Sequence, residues 1–195
     1  VDTALIDAID DVSRTLDIAA FEWKNQALTD AVVRAADRGV RVRMVVDDEH
    51  VLEEYEDADR FGEPAPFADI INADIPYRDD SRSGLMHNKF MIMDNTTVWT
   101  GSMNFTINGT YRNNNNLLVM RSQGAVRTYQ AEFDEMYNDG EFGSSRSDVD
   151  GSSFSQDGVS VRIVFSPEDG PIPVMINELR QADSQIRFMT FSFTR

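Results

Sequence analysis

The chain has 195 residues, and its 18 lysines and arginines against 34 aspartates and glutamates give a formal net charge of −16. Such an acidic excess repels phosphate backbones and anionic lipid at long range, which argues against a general nucleic-acid coat or a membrane-surface protein. The hydrophobic fraction of 41% excludes a disordered tail or a fibrous repeat, and the lack of cysteine excludes disulfides, thiolate metal sites and cysteine nucleophiles.

The first part of the chain alternates helical and strand patterns. Apolar residues at helical spacing begin at Leu5, and a short apolar run from Leu16 predicts a buried strand. A second helical pattern starts at Leu28 and stops at Gly39, a favourable helix C-cap, and the alternating run from Val40 predicts another strand. This alternation indicates an α/β domain.

Two polar segments separate these elements from the next strands. Residues 47–66 are acidic and end in two prolines, so we interpret them as an exit loop, a short solvated helix and a connection. Residues 78–84 are interpreted as a polar loop. The segment 85–101 then predicts two strands joined by a turn at Asp94 and Asn95.

The remaining elements resemble those at the start of the chain. A strand is predicted from Asn116 and a long helix from Val126 to near Gly140, before a Gly-, Ser- and Asp-rich linker over 141–158 and a strand from Val159. A gapless shift of 170 positions places apolar residues of the first helix and strand on apolar residues of the last segment: Ile6, Ile9, Leu16, Ile18, Phe21 and Trp23 on Ile176, Leu179, Ile186, Phe188, Phe191 and Phe193. Any amphipathic helix followed by an apolar strand aligns in a similar way, but the unbroken register favours a duplication. The domain prediction is a full repeat over 1–140, a linker over 141–158 and the beginning of a second repeat over 159–195.

Polar side chains concentrate between residues 87 and 104. Residues two apart in a strand share a face, so His87 and Lys89 project together, and Ser102 and Asn104 repeat this spacing after the next strand. If the two strands meet, an imidazole nucleophile lies beside donors for a charged oxyanion, as phosphoryl transfer requires. A single strand histidine is commonly structural and Gly-Ser-x-Asn alone is a common turn, so the interpretation depends on the combination.

This combination resembles the HKD signature of the phospholipase D superfamily. The pattern His-x-Lys-x4-Asp-x6-Gly-Ser-x-Asn is matched by His87, Lys89, Asp94, Gly101, Ser102 and Asn104. The resemblance implies an α/β phospholipase D/nuclease fold, with a mixed β-sheet flanked by helices on both faces. Within the superfamily, the run GSMNFT resembles the bacterial nuclease-like members more than the large plant or animal phospholipases.

The resemblance also implies a mechanism. His87 attacks phosphorus to give a phosphohistidine, and a second histidine protonates the leaving oxygen and later activates water. Lys89, Ser102 and Asn104 hold the nonbridging oxygens, and Asp94 completes the catalytic set. No cofactor and no metal are expected, and two histidines without cysteine offer no metal-ligand spacing.

Two departures from the family pattern stand out. An acidic residue usually orients the histidine, and Asn115 occupies that position here; its amide oxygen can accept the same hydrogen bond without contributing charge, but residues 113–116 are equally well interpreted as a polar loop. The chain also contains only one motif. His50 lacks a lysine two residues later and is interpreted as a loop residue. The second motif is therefore expected from a homodimer partner or from sequence beyond Arg195, near position 257.

Together these patterns predict a metal-independent phosphodiesterase, a hydrolase whose substrate is a nucleic acid or a phospholipid. The alternatives are a phosphatidyltransferase of the same superfamily and a catalytically incomplete phosphodiester-binding or scaffold module. No apolar run is long enough to span a membrane, so a soluble chain is expected, and both a cytoplasmic and an exported location stay open.

Overall fold

The computed structural model describes residues 2–61, 65–143, 149, 151–188 and 190. The α-helices are α1 (Asp2–Asp10), α2 (Gln26–Asp37), α3 (Glu54–Phe61), α4 (Pro66–Asn72), α5 (Ile107–Tyr111), α6 (Gln123–Asp134) and α7 (Pro171–Arg180). Two π-helical segments, Asp48–Glu53 and Glu135–Asp139, lead into α3 and continue α6. The strands are β1 (Thr15–Ala20), β2 (Trp23–Lys24), β3 (Arg41–Val46), β4 (Tyr77–Asp79), β5 (Lys89–Met93), β6 (Thr97–Gly101), β7 (Phe105–Thr106), β8 (Leu117–Met120), β9 (Ser153–Gln156) and β10 (Val159–Arg162).

A six-stranded mixed sheet in the order β4-β3-β1-β5-β6-β8 forms the centre of the fold. Strands β4, β3 and β1 are parallel, whereas β5, β6 and β8 are antiparallel to their neighbours. The register pairs Ala20 with Val46 and with Lys89. The carboxyl ends of β1 and β3 therefore meet the beginning of β5, where the polar motif starts.

Both faces of the sheet are covered, because alternate residues of each strand point to opposite sides. On one face Leu16, Ile18 and Met44 pack in a core with buried residues of α1, α2 and α4. On the other face Phe90 and Ile92 pack with buried residues of α6. The predicted mixed sheet flanked by helices on both faces is confirmed.

The hairpin and the long helix form where the sequence predicts them. Asp94 and Asn95 adopt positive φ angles of 52° and 56° in the turn between β5 and β6, a conformation that favours aspartate and asparagine among non-glycine residues. The helix that begins with α6 ends at Gly140, whose φ of 71° is the left-handed C-cap conformation.

Two short strands lie in segments that the sequence predicts as loop or linker, and a short helix follows the predicted acidic connection, with which it shares only Pro66. Helix α4 has Pro66 at its start and buries Phe67 and Ile70, although only seven residues form it. Strand β4 overlaps the predicted polar loop at residues 78–79, and β9 lies inside the predicted linker, where residues 144–148 and 150 fall outside the described part of the chain. Pairing with β3 and β10 forms these two strands, because their own sequences are polar and short.

The last segment agrees only in part with the predicted repeat. Helix α7 lies where the 170-residue shift places α1, but it buries none of its residues and exposes an apolar set: Ile172, Met175, Ile176 and Leu179. The strand predicted to follow it is not formed over residues 185–188, where Ile186 and Phe188 are exposed. Phe191 and Phe193 lie outside the described residues. The division into 1–140, 141–158 and 159–195 stays a prediction.

Candidate active site

The side chains of His87 and Lys89 converge on Phe21, which follows β1 directly. Pairing with β5 extends past the end of β1, because the backbone N–H of Phe21 donates to the carbonyl of Asn88 at 3.1 Å. The His87 ring lies edge-on to Phe21 with 4.4 Å between ring centroids, and Lys89 Nζ lies 4.5 Å from the same centroid. Lys89 Nζ also donates to the carbonyl of His87 at 2.8 Å. His87 lies just before β5, and its side chain contacts the same ring as that of Lys89.

The electrostatics of this pair suit a nucleophile beside a cation. Partial burial, followed by the nearby positive charge of Lys89, lowers the pKa of His87, although the residue is exposed to solvent. Burial lowers the pKa of Lys89 to about 8, opposed by the charges of Glu22 and Asp47. Near neutral pH the imidazole is accordingly unprotonated and able to attack, whereas the ammonium remains charged.

Asn104 joins this group through Glu22. Its Nδ2 donates to a carboxylate oxygen of Glu22, the residue next to Phe21 in the chain. The parallel pairing of β2 with β7 brings the two segments together, since it aligns Trp23 with Phe105. Asn104 is thus linked to the segment of Phe21 through Glu22, whose charge also acts on Lys89, whereas the hydroxyl of Ser102 does not join this group.

Ser102 and Asn115 form a separate network at the end of β6. Ser102 Oγ donates to Asn115 Oδ1 at 3.0 Å and accepts from the backbone N–H of Asn116 at 3.0 Å. Asn115 Nδ2 donates to the carbonyl of Gly109 at 2.8 Å. Within the described residues no hydrogen bond joins Asn115 to His87. Asn115 therefore holds Ser102 in place. The expectation that Asn115 orients His87 is not supported by its contacts.

Gly101 is required by the close approach of β6 and β8. A Cβ atom built on Gly101 would lie 2.2 Å from the carbonyl oxygen of Asn116, well inside van der Waals contact. Only glycine allows the two backbones to approach so closely, and this approach sets the position of Ser102.

Asp94 lies at the far end of β5 from His87, and the expectation of a catalytic role is not supported by its contacts. Its carboxylate accepts hydrogen bonds from the backbone N–H groups of Ser13, Arg14 and Thr15 at 2.7 to 3.0 Å, and from Ser13 Oγ at 2.9 Å. These bonds lower the pKa of Asp94 against the opposing effect of burial. These contacts indicate a structural role for Asp94: they connect the β5–β6 turn to the residues at the start of β1.

The second histidine, His50, lies beside Phe21 as well. Its ring centroid is 4.3 Å from that of Phe21, and its Nδ1 is 2.8 Å from Asp47 Oδ1. Asp47 follows β3 and is 1% exposed. His50 lacks the lysine of the motif, so the motif alone does not identify it. The signal in the sequence is its position just past the carboxyl end of a central parallel strand, where α/β sites form.

A cluster of acidic groups flanks this second histidine. One carboxylate oxygen from each of Asp47, Asp48 and Asp80 lies within 4.8 Å of the others. Burial, together with the two neighbouring carboxylates, raises the pKa of Asp80 to about 6. Each carboxylate accepts a hydrogen bond from a protein N–H group, so the cluster forms part of a hydrogen-bond network.

A cavity of about 680 Å³ opens beside His87 on the α6 face of the sheet. It is lined by Glu132 of α6, which accepts a hydrogen bond from Asn88 Nδ2 at 3.1 Å, and by Glu168. Burial, followed by the charge of Glu168, raises the pKa of Glu132 to about 7. Burial also raises the pKa of Glu168. Two carboxyl groups in a cavity therefore hold protons more tightly than they do in water.

Replacing Glu132 with glutamine is expected to stabilise the protein above pH 7. The folded-state pKa of Glu132 is raised, so the unfolded chain releases the proton first and the wild type loses stability as pH rises from about 4.5 to about 7. The full loss is about 3 kcal/mol, and glutamine, which still accepts from Asn88, avoids it. Urea unfolding at pH 5 and pH 8 measures the difference.

The matched control for this measurement is Glu56→Gln on the exposed surface of α3. We expect Glu56→Gln to change the free energy of unfolding by less than about 0.5 kcal/mol at both pH values. A Glu132→Gln variant that is no more stable than wild type at pH 8 would contradict the raised pKa.

No described helix is long and apolar enough to cross a membrane.

Comparison with known proteins agrees with this geometry. Residues 5–137 match the family model described as "Cardiolipin synthase, PLD-like domain". The mitochondrial cardiolipin hydrolase of Xenopus tropicalis is 31% identical over 126 residues, which are 65% of this chain and 56% of that protein. The protein of the same name from Chlamydomonas reinhardtii is 30% identical over 133 residues, or 68% of this chain and 56% of that protein. The chain thus spans about half the length of the curated relatives it matches.

Comparison with solved structures also finds a phospholipase D family member. The chain is similar to Nuc from Salmonella typhimurium, a phospholipase D family member, with a TM-score of 0.59, 28% sequence identity and coverage of 69% of this chain and 84% of that chain. Relatives therefore come from eukaryotes as well as bacteria, and they do not restrict this chain to the bacterial nuclease-like branch. The matched domain, the mixed sheet and the structural similarity together establish that the chain belongs to the phospholipase D superfamily.

Proposed function

We propose that the chain is a metal-independent phosphodiesterase in which His87 forms a covalent phosphohistidine. The observation that carries the proposal is the convergence of His87 and Lys89 on Phe21, with a lowered pKa at His87 and a charged ammonium at its side. Such an arrangement supplies an unprotonated nucleophile and a cation for the nonbridging oxygens of a diester. The relatives named cardiolipin hydrolase support a phosphodiesterase of this superfamily.

The proposed substrate class is inferred from the phosphodiester bond that His87 would attack, and not from the shape of a binding pocket. The solvent-accessible face of His87 suits a diester that approaches from outside, which fits a nucleic acid or a phospholipid. The net charge of −16 opposes long-range attraction of polyanions, so binding depends on local groups such as Lys89. Asn104 is the second group we assign to substrate binding, since its hydrogen bond to Glu22 places its amide near Phe21.

Transfer to an alcohol is the second candidate, because the matching family model is described as a cardiolipin synthase domain. Transfer and hydrolysis share the phosphohistidine and differ in the acceptor that attacks it. Adding glycerol to the reaction separates them: hydrolysis yields only phosphomonoester, whereas transfer yields a glyceryl diester in proportion to the glycerol concentration.

The test of the proposed function is to trap the covalent intermediate. With bis(4-nitrophenyl) phosphate in excess chelator, we expect a burst of nitrophenol equal to the enzyme concentration, followed by slower steady turnover. Because phosphohistidine survives in alkali, an alkaline quench followed by peptide mass spectrometry is expected to place the aryl phosphate adduct on His87. An adduct on another residue would contradict the nucleophile, and loss of the burst in chelator would contradict metal independence.

A further inference from the structure

The segment that presents His87 lies just outside the central sheet. Strand β5 begins at Lys89, and its antiparallel pairing with β1 starts there, where Lys89 is aligned with Ala20. The backbone of His87 precedes this ladder. The position of its ring therefore depends on what holds its two neighbours in the chain, Met86 and Asn88.

Two buried carboxylates hold these neighbours from different elements. On one side, Asp47 Oδ2 accepts from the backbone N–H of Met86 at 2.9 Å. On the other side, Glu132 Oε1 accepts from Asn88 Nδ2 at 3.1 Å. Asp47, directly after β3, is 1% exposed, and Glu132, in α6, is 7% exposed, so packing fixes both acceptors. The residue before His87 and the residue after it are each fastened to a rigid part of the fold.

The contact with Glu132 is the main hydrogen bond of the Asn88 side chain. The same Nδ2 also lies 3.6 Å from Met136 Sδ, but a thioether is a weak acceptor. The backbone carbonyl of Asn88 accepts from the N–H of Phe21 at 3.1 Å. One residue is thus held by its side chain to α6 and by its main chain to Phe21, the ring on which His87 packs.

We propose that Glu132 is a positioning residue of the active site, which acts through Asn88 to fix the segment that aims His87 at phosphorus. This role rests on the proposed function, in which His87 is the nucleophile. Glu132 takes no part in making or breaking bonds. Nucleophilic attack requires the reacting atoms to be close and in line, and a displacement of about 1 Å can slow such a step by about 100-fold.

The test measures the rate of the nitrophenol burst from bis(4-nitrophenyl) phosphate, because this rate reports the attack by His87 and not the later hydrolysis. We expect Asn88→Ala and Glu132→Ala each to slow the burst by about 30-fold, with little change in the diester concentration that gives half the maximal burst rate. Glu132→Gln keeps an oxygen that accepts from Asn88, so its burst rate is expected to stay within about 3-fold of wild type.

A double variant shows whether the two residues act through their shared hydrogen bond. Asn88→Ala combined with Glu132→Ala is expected to be no slower than either single variant, because the second substitution removes a bond that is already lost. The matched control is Thr128→Val. Thr128 lies one turn earlier in α6, is 7% exposed and donates from Oγ1 to Ser152 Oγ at 2.7 Å. This control loses a comparable hydrogen bond of the same helix away from His87, so we expect the wild-type burst rate.

Several outcomes would overturn the positioning role while the adduct on His87 still stands. They are an unchanged burst rate in Asn88→Ala, a Glu132→Gln variant as slow as Glu132→Ala, a double variant slowed by the product of the single effects, and an equal slowing in Thr128→Val. If Glu132→Ala does not fold, Asn88→Ala and Glu132→Gln decide the question, since Asn88 is only half-buried. A wild-type chain that forms no adduct on His87 would refute the proposed function itself, and this role with it.

Discussion

Replacing His87 with alanine is expected to lower the turnover of bis(4-nitrophenyl) phosphate by at least about 1,000-fold. The substitution removes the nucleophile of the proposed reaction, and loss of a nucleophile usually abolishes most of the catalytic advantage. Lys89 and Asn104 remain, so some binding of the diester is retained. The measurement is the initial rate in excess chelator, together with the burst amplitude, which is expected to vanish.

The same substitution is expected to leave the fold intact. His87 is exposed to solvent and its ring packs against Phe21, so its loss is expected to change the free energy of unfolding by about 1 kcal/mol or less. Asn114→Ala, on the exposed loop before β8, is the control and is expected to retain wild-type turnover. Thermal unfolding of both variants separates lost chemistry from lost structure.

Added imidazole provides a further check on the role of His87. The space left by the side chain opens to solvent, so free imidazole is expected to enter it and restore part of the turnover in His87→Ala. Activity above about one tenth of wild type without imidazole would show that another group attacks phosphorus, since removing a nucleophile has a larger effect than this.

The sequence predicts the part of the site that depends on strand periodicity. His87 and Lys89 are two residues apart, and an extended segment places such residues on one side; β5 itself begins only at Lys89, but both side chains contact Phe21. The same reasoning predicts the hairpin, because Asp94 and Asn95 tolerate the positive φ angles that a tight turn requires. These results need no knowledge of the rest of the fold.

Contacts between distant segments could not be predicted from the sequence. Spacing alone does not show that Asp94 fastens a turn to Ser13, or that Asn115 holds Ser102, since both contacts depend on how loops close over the sheet. His50 lies in a segment interpreted as loop and solvated helix, and only the pairing of β1 with both β3 and β5 brings it to His87. The short strands β4 and β9 fall in the same class, because a neighbouring strand decides whether three or four polar residues pair.

The interior of the fold contains an ion pair whose loss is expected to have a large effect on stability. Asp17 of β1 is 1% exposed and accepts from Arg43 Nε at 2.8 Å and Nη2 at 2.7 Å, and from Gln130 Nε2 at 3.0 Å. The Arg43 guanidinium also lies 4.9 Å from the ring centroid of Phe133 and 5.0 Å from that of Tyr137. The pair thus joins β1 and β3 to the helix that covers them.

Replacing Asp17 with alanine is expected to lower the free energy of unfolding by about 3 kcal/mol. The variant leaves Arg43 largely buried with one remaining carboxylate partner, Asp134 at 3.1 Å, and an uncompensated buried charge is what makes such variants unstable. Asp10→Ala is the matched control, because Asp10 forms a similar two-point contact with Arg34 on the exposed surface of α1 and α2. Exposed pairs contribute less than about 1 kcal/mol, so the control is expected to unfold at nearly the wild-type urea midpoint.

A double variant separates the charge from the lost contact. When Arg43 is replaced by methionine together with Asp17→Ala, no orphaned cation remains and an apolar chain packs against the rings of Phe133 and Tyr137. The double variant is therefore expected to be more stable than Asp17→Ala alone, with an unchanged dependence of unfolding free energy on urea. If the double variant is instead the less stable of the two, the cation keeps a favourable position without Asp17, and the stacking of Arg43 on the two rings, rather than the ion pair, is what ties β3 to the α6 side of the sheet.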